Sequence, residues 1–524
     1  MPSGRPAFVS LKPPSPGPSL RRVLARAAAA VPAAWLVGGA VRDLLIDREP
    51  ADLDLLTKGD AQAAAEALAA AFGAHAFRLD EAREQWRVAL PQEGSVQAID
   101  VTHAEDLAAD LRRRDFTVDA LAAPIEPGGG LGDVRDETGG LDDLDARLLR
   151  MTGEAALRDD PLRLLRAVRL AVELSFGIEA ETEAAIRRLA PHLASAAAER
   201  QRDELVRILA TPVAARGLRL MDSLGLLEQM LPELLSGRGV EQPYQHHYWD
   251  VFDHSIEAVA ALDELLPHRA APGPDSDGRP SWFRGEFRAG LRQFQVDAYL
   301  GQRAGGQSRL VLLKLAGLLH DVAKPETKAV QPDGRIRFFG HSELGAAKAE
   351  RICRRLRFGN RETRFVSRLV EEHLRPAQLS QDGLPTRRAV YRFFRDLEEA
   401  APACLLLSLA DAAAARGPRL QAERWRGLVA YVANVLEHGL TPEAPSQRPQ
   451  RLIDGTELMA ALGLQPGPEV GRLLAAIEEA QALGEIATRE DALGYARRLA
   501  ASPPAAAATP TQAKAGTDGE DTHE

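Results

Sequence analysis

The chain has 524 residues, a length that at roughly 100–200 residues per domain predicts about three to five domains. Apolar residues make up 45% of it and charged residues 27%, which is typical of folded protein and excludes a largely disordered chain. The net charge of −10 argues against attraction of nucleic acid to the whole surface but leaves local basic stripes open. Two cysteines, Cys353 and Cys404, are too few for a disulfide framework or a cysteine zinc site. No stretch resembles a membrane span or a secretory signal, so we expect a cytoplasmic protein without a membrane partner.

In chain order, residues 1–20 are rich in Pro and Ser, and we expect them to form a disordered tail, like the low-complexity residues 501–524. Residues 21–140 combine an Ala-rich helix with short apolar runs that predict strands at 34–37, 53–57, 86–90 and 96–101. From residue 141 onward, apolar residues recur at helical spacing. The pattern therefore predicts an α+β fold, with a mixed sheet-plus-helix head and an all-α remainder. Within that remainder, residues 268–308 collect Gly, Pro and charge, as an inserted surface loop would.

The most informative motif is LVGGAVRDLLIDREPADLDLLT, near the N-terminus. Gly38 and Gly39 permit close backbone approach and precede a predicted helix N-terminus, which favours a phosphate group. Asp52 and Asp54 are two residues apart on a predicted strand, so both carboxylates point to one face and suit Mg²⁺. Asp100 ends another apolar strand and is a candidate third catalytic carboxylate. Two metal ions in such a cluster would clamp the attacking and leaving oxygens of a phosphoryl transfer.

Together with RRDFTVDALA at residues 113–122, this motif resembles class II tRNA nucleotidyltransferases and bacterial poly(A) polymerases. The resemblance implies a polymerase-β-like head, a helical neck, an HD domain and a C-terminal helical module, which we place at 21–140, 141–215, 216–440 and 441–500. It implies Mg²⁺ on Asp52 and Asp54, and transfer of nucleotides to the 3′ end of tRNA. The nucleotide-binding residues that it implies in the head are Gly38, Gly39, Arg42, Arg113, Arg114 and Asp115. One departure is Asp119, where the family usually has Asn.

A second segment, DDPLRLLRAVRL, resembles the base-selecting motif of the same family. The resemblance implies that Asp160 and Arg163 hydrogen-bond the base edge of the incoming nucleotide. Asp only accepts and Arg only donates, which gives a pattern that C or A satisfies more readily than G or U. Arg166 and Arg169 would hold phosphate or order the helix. Spacing alone favours a solvated surface helix that carries arginines.

Members of this family that add C, C and A carry a flexible loop before the Arg-Arg-Asp motif, whereas here Asp100 is followed directly by VTHAEDLAADLRRRDF. The resemblance associates the short form with addition of two C residues, so we predict a CC-adding enzyme that uses CTP, with use of ATP left open. Residues 139–144 resemble the head-to-neck hinge, and Glu199 and Arg200 match a motif credited with stabilising the neck. A poly(A) polymerase, which shares the head and much of the neck, is the alternative.

Histidines of the second half of the chain occur in a patterned, ordered set. His320 and Asp321 are adjacent at the end of a predicted apolar helix, and they can converge on one ion. The whole set resembles an HD-superfamily metal domain. That resemblance implies a divalent transition metal or Mg²⁺ on His254, His320, Asp321 and Asp411, with His341 and His373 for a second metal. Because a bound metal can activate water, an HD phosphohydrolase with a degenerate head is a further alternative, against which the intact Asp-x-Asp motif argues. The sequence leaves the oligomeric state open.

Overall fold

The computed structural model describes residues 15–81, 84–93, 96–245, 247–266, 279–379, 383–440 and 451–501. These residues form two compact units, one within 1–373 and 407–425, the other within 374–406 and 426–524. Residues 18–20, which we expected in the N-terminal tail, are helical, because helix α1 (Pro18–Ala30) includes Leu20, which is buried. The rest of the predicted tail, residues 1–14, lies outside the described residues. Residues 502–524 of the predicted C-terminal tail lie outside the described residues.

The head is built on a seven-stranded sheet with the order β3-β4-β5-β2-β1-β6-β7. Its strands are β1 (Trp35–Val37), β2 (Asp52–Thr57), β3 (His75–Asp80), β4 (Gln85–Glu93), β5 (Val96–His103), β6 (Leu121–Pro124) and β7 (Arg135–Asp136). Only β2 and β5 are parallel neighbours, and their register places Asp54 beside Asp100. Strands β3, β6 and β7 were not predicted. The alanines of β6 (LAAP) carry little β propensity, and β3 is a polar edge strand.

Three further helices of the head connect these strands: α2 (Gly39–Leu45), α3 (Ala61–Phe72) and α4 (Leu107–Arg112). Helix α3 begins after Asp60, whose side chain accepts a hydrogen bond from the Ala63 amide, and ends at Gly73, which adopts φ 61°. After α4, a single 3₁₀ turn at Thr117–Asp119 leads into β6. This turn places the Arg-Arg-Asp motif and Asp119 next to the β1–α2 connection, since α2 packs on both the turn and β6.

The neck is helical and follows in the same unit. Its helices are α5 (Gly140–Asp145), α6 (Glu154–Asp159), α7 (Leu162–Leu174), α8 (Ala180–Leu189), α9 (Ala198–Ala210), α10 (Ala214–Ser223), α11 (Leu226–Met230) and α12 (Pro232–Leu235). A short parallel pair, β8 (Leu148–Leu149) and β9 (Gly177–Ile178), interrupts them. Where α5 begins, a Cβ on Gly140 would lie 2.1 Å from the Thr117 carbonyl oxygen, so only glycine permits this approach of neck to head.

The HD region continues with α13 (Val251–Leu265), α14 (Ser281–Leu291), α15 (Val296–Gly301), α16 (Arg309–Leu319), α17 (Lys324–Thr327), α18 (His341–Arg355) and α19 (Asn360–Glu372), plus a hairpin of β10 (Lys328–Val330) and β11 (Ile336–Phe338). The predicted insertion loop at 268–308 is largely helical where it is described. Phe283, Phe287 and Leu291 recur at helical spacing and are buried, and the Phe283 ring stacks on Trp425 with centroids 4.5 Å apart. Residues 267–278 lie outside the described residues.

The last elements are α20 (Arg375–Leu379), α21 (Arg387–Leu397), α22 (Ala401–Arg416), α23 (Ala422–Leu440), α24 (Gly455–Leu462), α25 (Pro468–Ala482) and α26 (Arg489–Ala501). Apart from residues 407–425, they make up the second unit, in which residues 374–406 and 426–440, predicted as part of the HD domain, cluster with the C-terminal helices. The buried Glu479 of α25 shows why, because its carboxylate accepts two hydrogen bonds from Arg392 of α21, at 2.8 and 2.9 Å.

Candidate nucleotide and metal sites

The Gly-Gly turn lies at the end of β1. Gly38 adopts φ 74°, and a Cβ there would lie 2.6 Å from Nη1 of Arg114 and 3.4 Å from Oδ2 of Asp54. A side chain at Gly38 would therefore displace the Arg114 guanidinium from the neighbourhood of Asp54, and the positive φ also favours glycine there. The Gly38 amide donates to the Leu121 carbonyl at 2.9 Å, which ties the turn to β6. Gly39 packs against the guanidinium of Arg42, with Nη2 3.3 Å from where its Cβ would lie.

The three predicted carboxylates all lie on the parallel pair β2 and β5. Asp52 is exposed, and Asp54 is partly buried beside Asp100. Burial, with the nearby charges of Asp100 and Asp119, raises the pKa of Asp54 to about 6 against the opposing charge of Arg114. Asp52 and Asp54 both offer acceptor oxygens only, and such a pair suits Mg²⁺.

Asp100 differs from this pair because both of its oxygens have a protein partner. Arg87 of β4 donates from Nε to Oδ1 at 2.7 Å and from Nη2 to Oδ2 at 2.8 Å, a bidentate ion pair. In this arrangement Asp100 is an ion-pair partner of Arg87, and its role as a third catalytic carboxylate stays a prediction. The sequence could not predict this pairing, because the partner lies on the neighbouring antiparallel strand, opposite Asp100 in the register.

A buried network of arginines and carboxylates joins the turn to the neck. Arg42 donates to Asp43 at 2.7 and 2.9 Å and to Asp119. Arg166 of α7 lies 2.6 Å from Asp115 and 3.2 Å from Asp119. Burial opposes ionisation of Asp119, but Arg42 and Arg166 outweigh it and hold its pKa below the usual value. Asp119, which stands where the family usually has Asn, therefore connects the two arginines.

The predicted base-selecting pair lies where α6 gives way to α7. Asp160 is buried, and Arg200 of α9 donates to its two oxygens at 2.9 and 3.3 Å. Burial opposes ionisation of the Asp160 carboxylate, but the hydrogen bonds and charge of Arg200 outweigh burial and lower the pKa of Asp160. Arg163 donates to the carbonyls of Ala156 and Arg113 at 3.0 and 3.2 Å, which brings the base-selecting helix to the Arg-Arg-Asp motif.

The remaining arginines of these motifs have separate environments. Arg169 is buried, and it bonds Glu204 of α9 at 2.7 Å and Glu173 at 2.6 Å. We predicted that Arg169 either holds phosphate or orders the helix, and these two ion pairs match the second role. Arg113 is exposed, and Arg114 donates to Asp110 at 3.1 Å.

The HD residues converge from α13, α16, α18, α19 and α22. Two groups have ligand atoms that all lie within 4.8 Å of one another: His254 with His320 and Asp411, and Asp321 with His341 and His373. Asp321 lies between the groups, with Oδ2 3.3 Å from Nε2 of His320 and Oδ1 3.5 Å from Nε2 of His341. The expected first site contained Asp321 as a simple member, whereas the geometry makes it a bridge between two sites.

Backbone carbonyls orient three of the imidazoles. The Nδ1 atoms of His320, His341 and His373 lie 2.8, 2.6 and 2.7 Å from the carbonyls of Gly317, Phe338 and Val370. A carbonyl can only accept, so Nδ1 carries a proton and Nε2 faces the centre, where the neutral form of the ring offers the lone pair that a metal-binding histidine uses. Imidazole nitrogens and carboxylate oxygens are ligands for divalent transition metals, and the donor set therefore fits such an ion.

Charge at the HD centre is balanced internally. Burial lowers the pKa of His320, while Asp321 and Asp411 raise it, with a net value of about 10. Lys324 reaches Oδ2 of Asp321 at 2.6 Å. A further histidine, His247, was not among the predicted ligands, although its ring lies 5.2 Å from that of His254 and its buried Nδ1 has no hydrogen-bond partner among the described residues. In the sequence, the only indication that His247 belongs to this centre was its place in the adjacent pair of histidines that begins HHYWDVFDHS.

Comparison with known protein families matches each part of this architecture. A family model for the poly(A) polymerase head domain matches residues 34–150, and one for a probable RNA- and SrmB-binding site of polymerase A matches residues 175–237. An HD domain model matches residues 291–416, and a model for domain 2 of tRNA nucleotidyltransferases matches residues 438–496. The head, the helical neck and the HD domain thus define an RNA nucleotidyltransferase, an enzyme class that transfers nucleotides.

Individual relatives align over nearly the whole chain. The A-adding tRNA nucleotidyltransferase of Deinococcus radiodurans is 40% identical over 479 residues, which cover 90% of this chain and 97% of the relative. The CC-adding tRNA nucleotidyltransferase of Thermus thermophilus is 37% identical, over 88% of this chain and 92% of the relative. The chain belongs to the tRNA nucleotidyltransferase family.

A solved structure shares the fold over a similar extent. The Thermotoga maritima CCA-adding enzyme complexed with tRNA matches with a TM-score of 0.54 at 19% identity, over 94% of this chain and 97% of that one. Within the described part of the chain, no helix has the length and apolar character needed to cross a membrane.

Proposed function

We propose that this protein adds cytidylate residues from CTP to the 3′ end of tRNA, as a CC-adding enzyme. The tRNA substrate is supported by relatives of both specificities, A-adding and CC-adding, that align over 97% and 92% of their own lengths. Because these relatives differ in what they add, they do not decide the nucleotide. The choice of C rests on the connection between β5 and α4.

That connection is short and held at both ends. β5 ends at His103 and α4 begins at Leu107, so only residues 104–106 separate them. The Ala104 amide donates to the Thr57 carbonyl at 3.1 Å, and Asp106 caps α4 by accepting from Ala108 at 2.9 Å. No segment is left in this connection for the flexible loop that the family associates with addition of the terminal A. This observation carries the CC-adding proposal.

The side chains of the head and neck have distinct roles in this proposal. The Asp160 carboxylate accepts from the cytosine amino group, and Arg163 donates to the acceptors on the same base edge. Asp160 has lone pairs enough to keep Arg200 as a second donor. Gly39 and Arg42 of the turn would hold the triphosphate, and Arg113, Arg114 and Asp115 would contact the ribose. Asp52 and Asp54 would hold Mg²⁺, which supplies electrostatic stabilisation of the charge that develops on the transferred phosphoryl group.

The test uses purified protein, Mg²⁺ and tRNA transcripts that end at the discriminator base, at C or at CC, each with a single nucleotide. Products are sized at single-nucleotide resolution. Two additions of C with none of A support the proposal. Addition of A alone to the transcript ending in CC would favour the second candidate, an A-adding enzyme, which the Deinococcus radiodurans relative suggests. Long A tails would identify a poly(A) polymerase.

The HD centre supports an additional activity, metal-dependent hydrolysis of phosphate esters. Its support is the convergence of four imidazoles and two carboxylates on one buried centre. His254, His320 and Asp411 would hold one divalent transition metal or Mg²⁺, and Asp321, His341 and His373 a second, and such ions activate water. Release of phosphate from phosphate monoesters and cyclic phosphodiesters, with and without added divalent metal, tests this activity. No metal-dependent release from either substrate class would refute it.

A further inference from the structure

Phe77 is a large apolar side chain that the head leaves open to solvent. It lies on β3, an edge strand of the seven-stranded sheet, and it is 47% exposed. Soluble proteins usually place charged or polar residues on such strands, because an open edge with apolar side chains favours association. A single exposed apolar side chain is nevertheless common, so what distinguishes Phe77 is its place in the sheet.

The strand register places Phe77 on the same face of the sheet as the candidate metal carboxylates. Phe77 of β3 is paired with Arg87 of β4. Arg87 is in turn paired with Asp100 of β5, and Asp100 lies beside Asp54 of β2. Residues directly opposite each other on neighbouring strands point to one face, and the bidentate ion pair of Arg87 with Asp100 shows this for the middle of the row. Phe77 therefore ends a row of side chains that starts at Asp54.

The face that carries this row is open at β3 and β4, whereas the other face is covered. Helix α3 packs on β3, β4 and β5. Val88 and Ile99, which point away from the row, are fully buried. On the face of the row, Ala89 is exposed and the side chain of Arg87 is 34% exposed. The surface between the carboxylates and Phe77 is therefore accessible to a substrate.

The nucleotide and the tRNA have to reach Asp54 from different directions. The Gly-Gly turn lies at the end of β1, and a Cβ on Gly38 would be 3.4 Å from Oδ2 of Asp54. Strands β1 and β5 flank β2 on opposite sides. The proposed triphosphate site thus occupies the β1 side and leaves the β5-β4-β3 side for the 3′ end of tRNA. Neighbouring strands lie about 4.8 Å apart, so the steps from β2 to β3 span about 14 Å, which a few nucleotides can bridge.

We infer that Phe77 is a positioning residue for tRNA, on which a base close to the 3′ end stacks while the terminal hydroxyl lies at the carboxylates. The inference rests on the proposed addition of nucleotides at the head. Every base has an aromatic face, so stacking on a phenyl ring tolerates any sequence, as an enzyme that accepts many tRNAs requires. Phe77 lies too far from Asp54 to touch the reacting atoms, and its contribution is therefore to binding of the acceptor end.

The experiment measures kcat, KM for tRNA and KM for CTP in wild type and in the variants F77A and F77Y, on a tRNA transcript that lacks its terminal CCA. We expect F77A to raise KM for tRNA about fivefold or more, because stacking of a base on the ring is lost. The KM for CTP and the melting temperature should stay at the wild-type values, since Phe77 is exposed and lies away from the triphosphate site. F77Y keeps the ring and should keep KM for tRNA within about twofold of wild type.

Arg78→Ala is the matched control. Arg78 follows Phe77 on the same strand, its side chain is 43% exposed, and it points to the opposite face. R78A removes a positive charge, which would weaken non-specific attraction to RNA, whereas F77A leaves the charge of the protein unchanged. We expect KM for tRNA in R78A to stay within about twofold of wild type.

A KM for tRNA that is unchanged in F77A, that rises equally in R78A, or that rises as much in F77Y would overturn the inference while leaving the proposed function intact. An unchanged KM together with an altered oligomeric state of F77A in sedimentation velocity would overturn it too, and would assign Phe77 to contact with a second copy of this chain. Absence of any nucleotide addition by wild type would overturn the proposed function as well, which distinguishes the two failures.

Discussion

The head and the HD centre are both rich in charge, but they arrange it in opposite ways. In the head, arginines alternate with carboxylates drawn from α2, the 3₁₀ turn and α7, and Asp100 is held by Arg87. In the HD centre, imidazole and carboxylate ligand atoms face one another within 4.8 Å, and Lys324 is the cation that reaches them at 2.6 Å. Among the described residues, no group of three head side chains meets that criterion for metal ligands.

The difference indicates how each site acquires its metal. A set of oriented nitrogen and oxygen ligands is preformed and binds an ion with little rearrangement. Two carboxylates alone make an incomplete Mg²⁺ site, and Mg²⁺ typically completes its coordination with substrate phosphates. We therefore expect the HD centre to bind metal in the free protein, and the head to bind it together with the nucleoside triphosphate.

The largest expected effect comes from removing the charge of Asp54. Asp54→Asn should lower nucleotide addition by at least about 10²-fold, because the stabilisation of transition-state charge is lost. Stability should not fall, since burial already disfavours the charged form and raises its pKa to about 6. Single-turnover extension of tRNA measures the rate, and thermal unfolding the stability. A rate within tenfold of wild type would contradict the assignment of the head metal site.

The next effect concerns the bridge of the HD centre. Asp321→Asn should abolish stoichiometric metal binding there, because Asp321 belongs to the group with His341 and His373, and its Oδ2 also lies 3.3 Å from the Nε2 atoms of both histidines of the other group. Nucleotide addition should stay within about twofold of wild type, since the head does not use this centre. Metal content after dialysis, measured by elemental analysis, gives the first result, and tRNA extension the second. If D321N retained full metal content, the centre would not be the preformed site described above.

The smallest effect sharpens the role of Asp100. Arg87→Gln releases the carboxylate oxygens of Asp100 from their ion pair, so the Mg²⁺ concentration needed for half-maximal nucleotide addition should fall. The fall should be less than about tenfold, because a partly exposed ion pair contributes about 1 kcal/mol or less. Gln62→Ala, an exposed change on α3, is the control and should leave the Mg²⁺ dependence unchanged. A Mg²⁺ requirement that rises in R87Q would show that Arg87 supports the metal site rather than competing with it.

Much of this organisation could be predicted from sequence because motifs carry local information. The Gly-Gly turn, the Asp-x-Asp strand and the order of the histidines are short patterns, and the sheet indeed brings Asp54 and Asp100 together. The ion-pair partners of the predicted site residues could not be predicted. Arg87 for Asp100 and Arg200 for Asp160 depend on which elements become neighbours in the fold. Helix α14 was likewise missed, because its glycines and charges obscured three phenylalanine and leucine positions at helical spacing.

Binding of Mn²⁺, followed by electron paramagnetic resonance, tests the contrast between the two sites most directly. The free protein should bind Mn²⁺ at the HD centre, and D321N should lose that binding. A further Mn²⁺ should bind only when a non-hydrolysable CTP analogue is added, and D54N should lose that one alone. Tight Mn²⁺ binding by D321N without nucleotide would show a preformed metal site in the head and contradict this account.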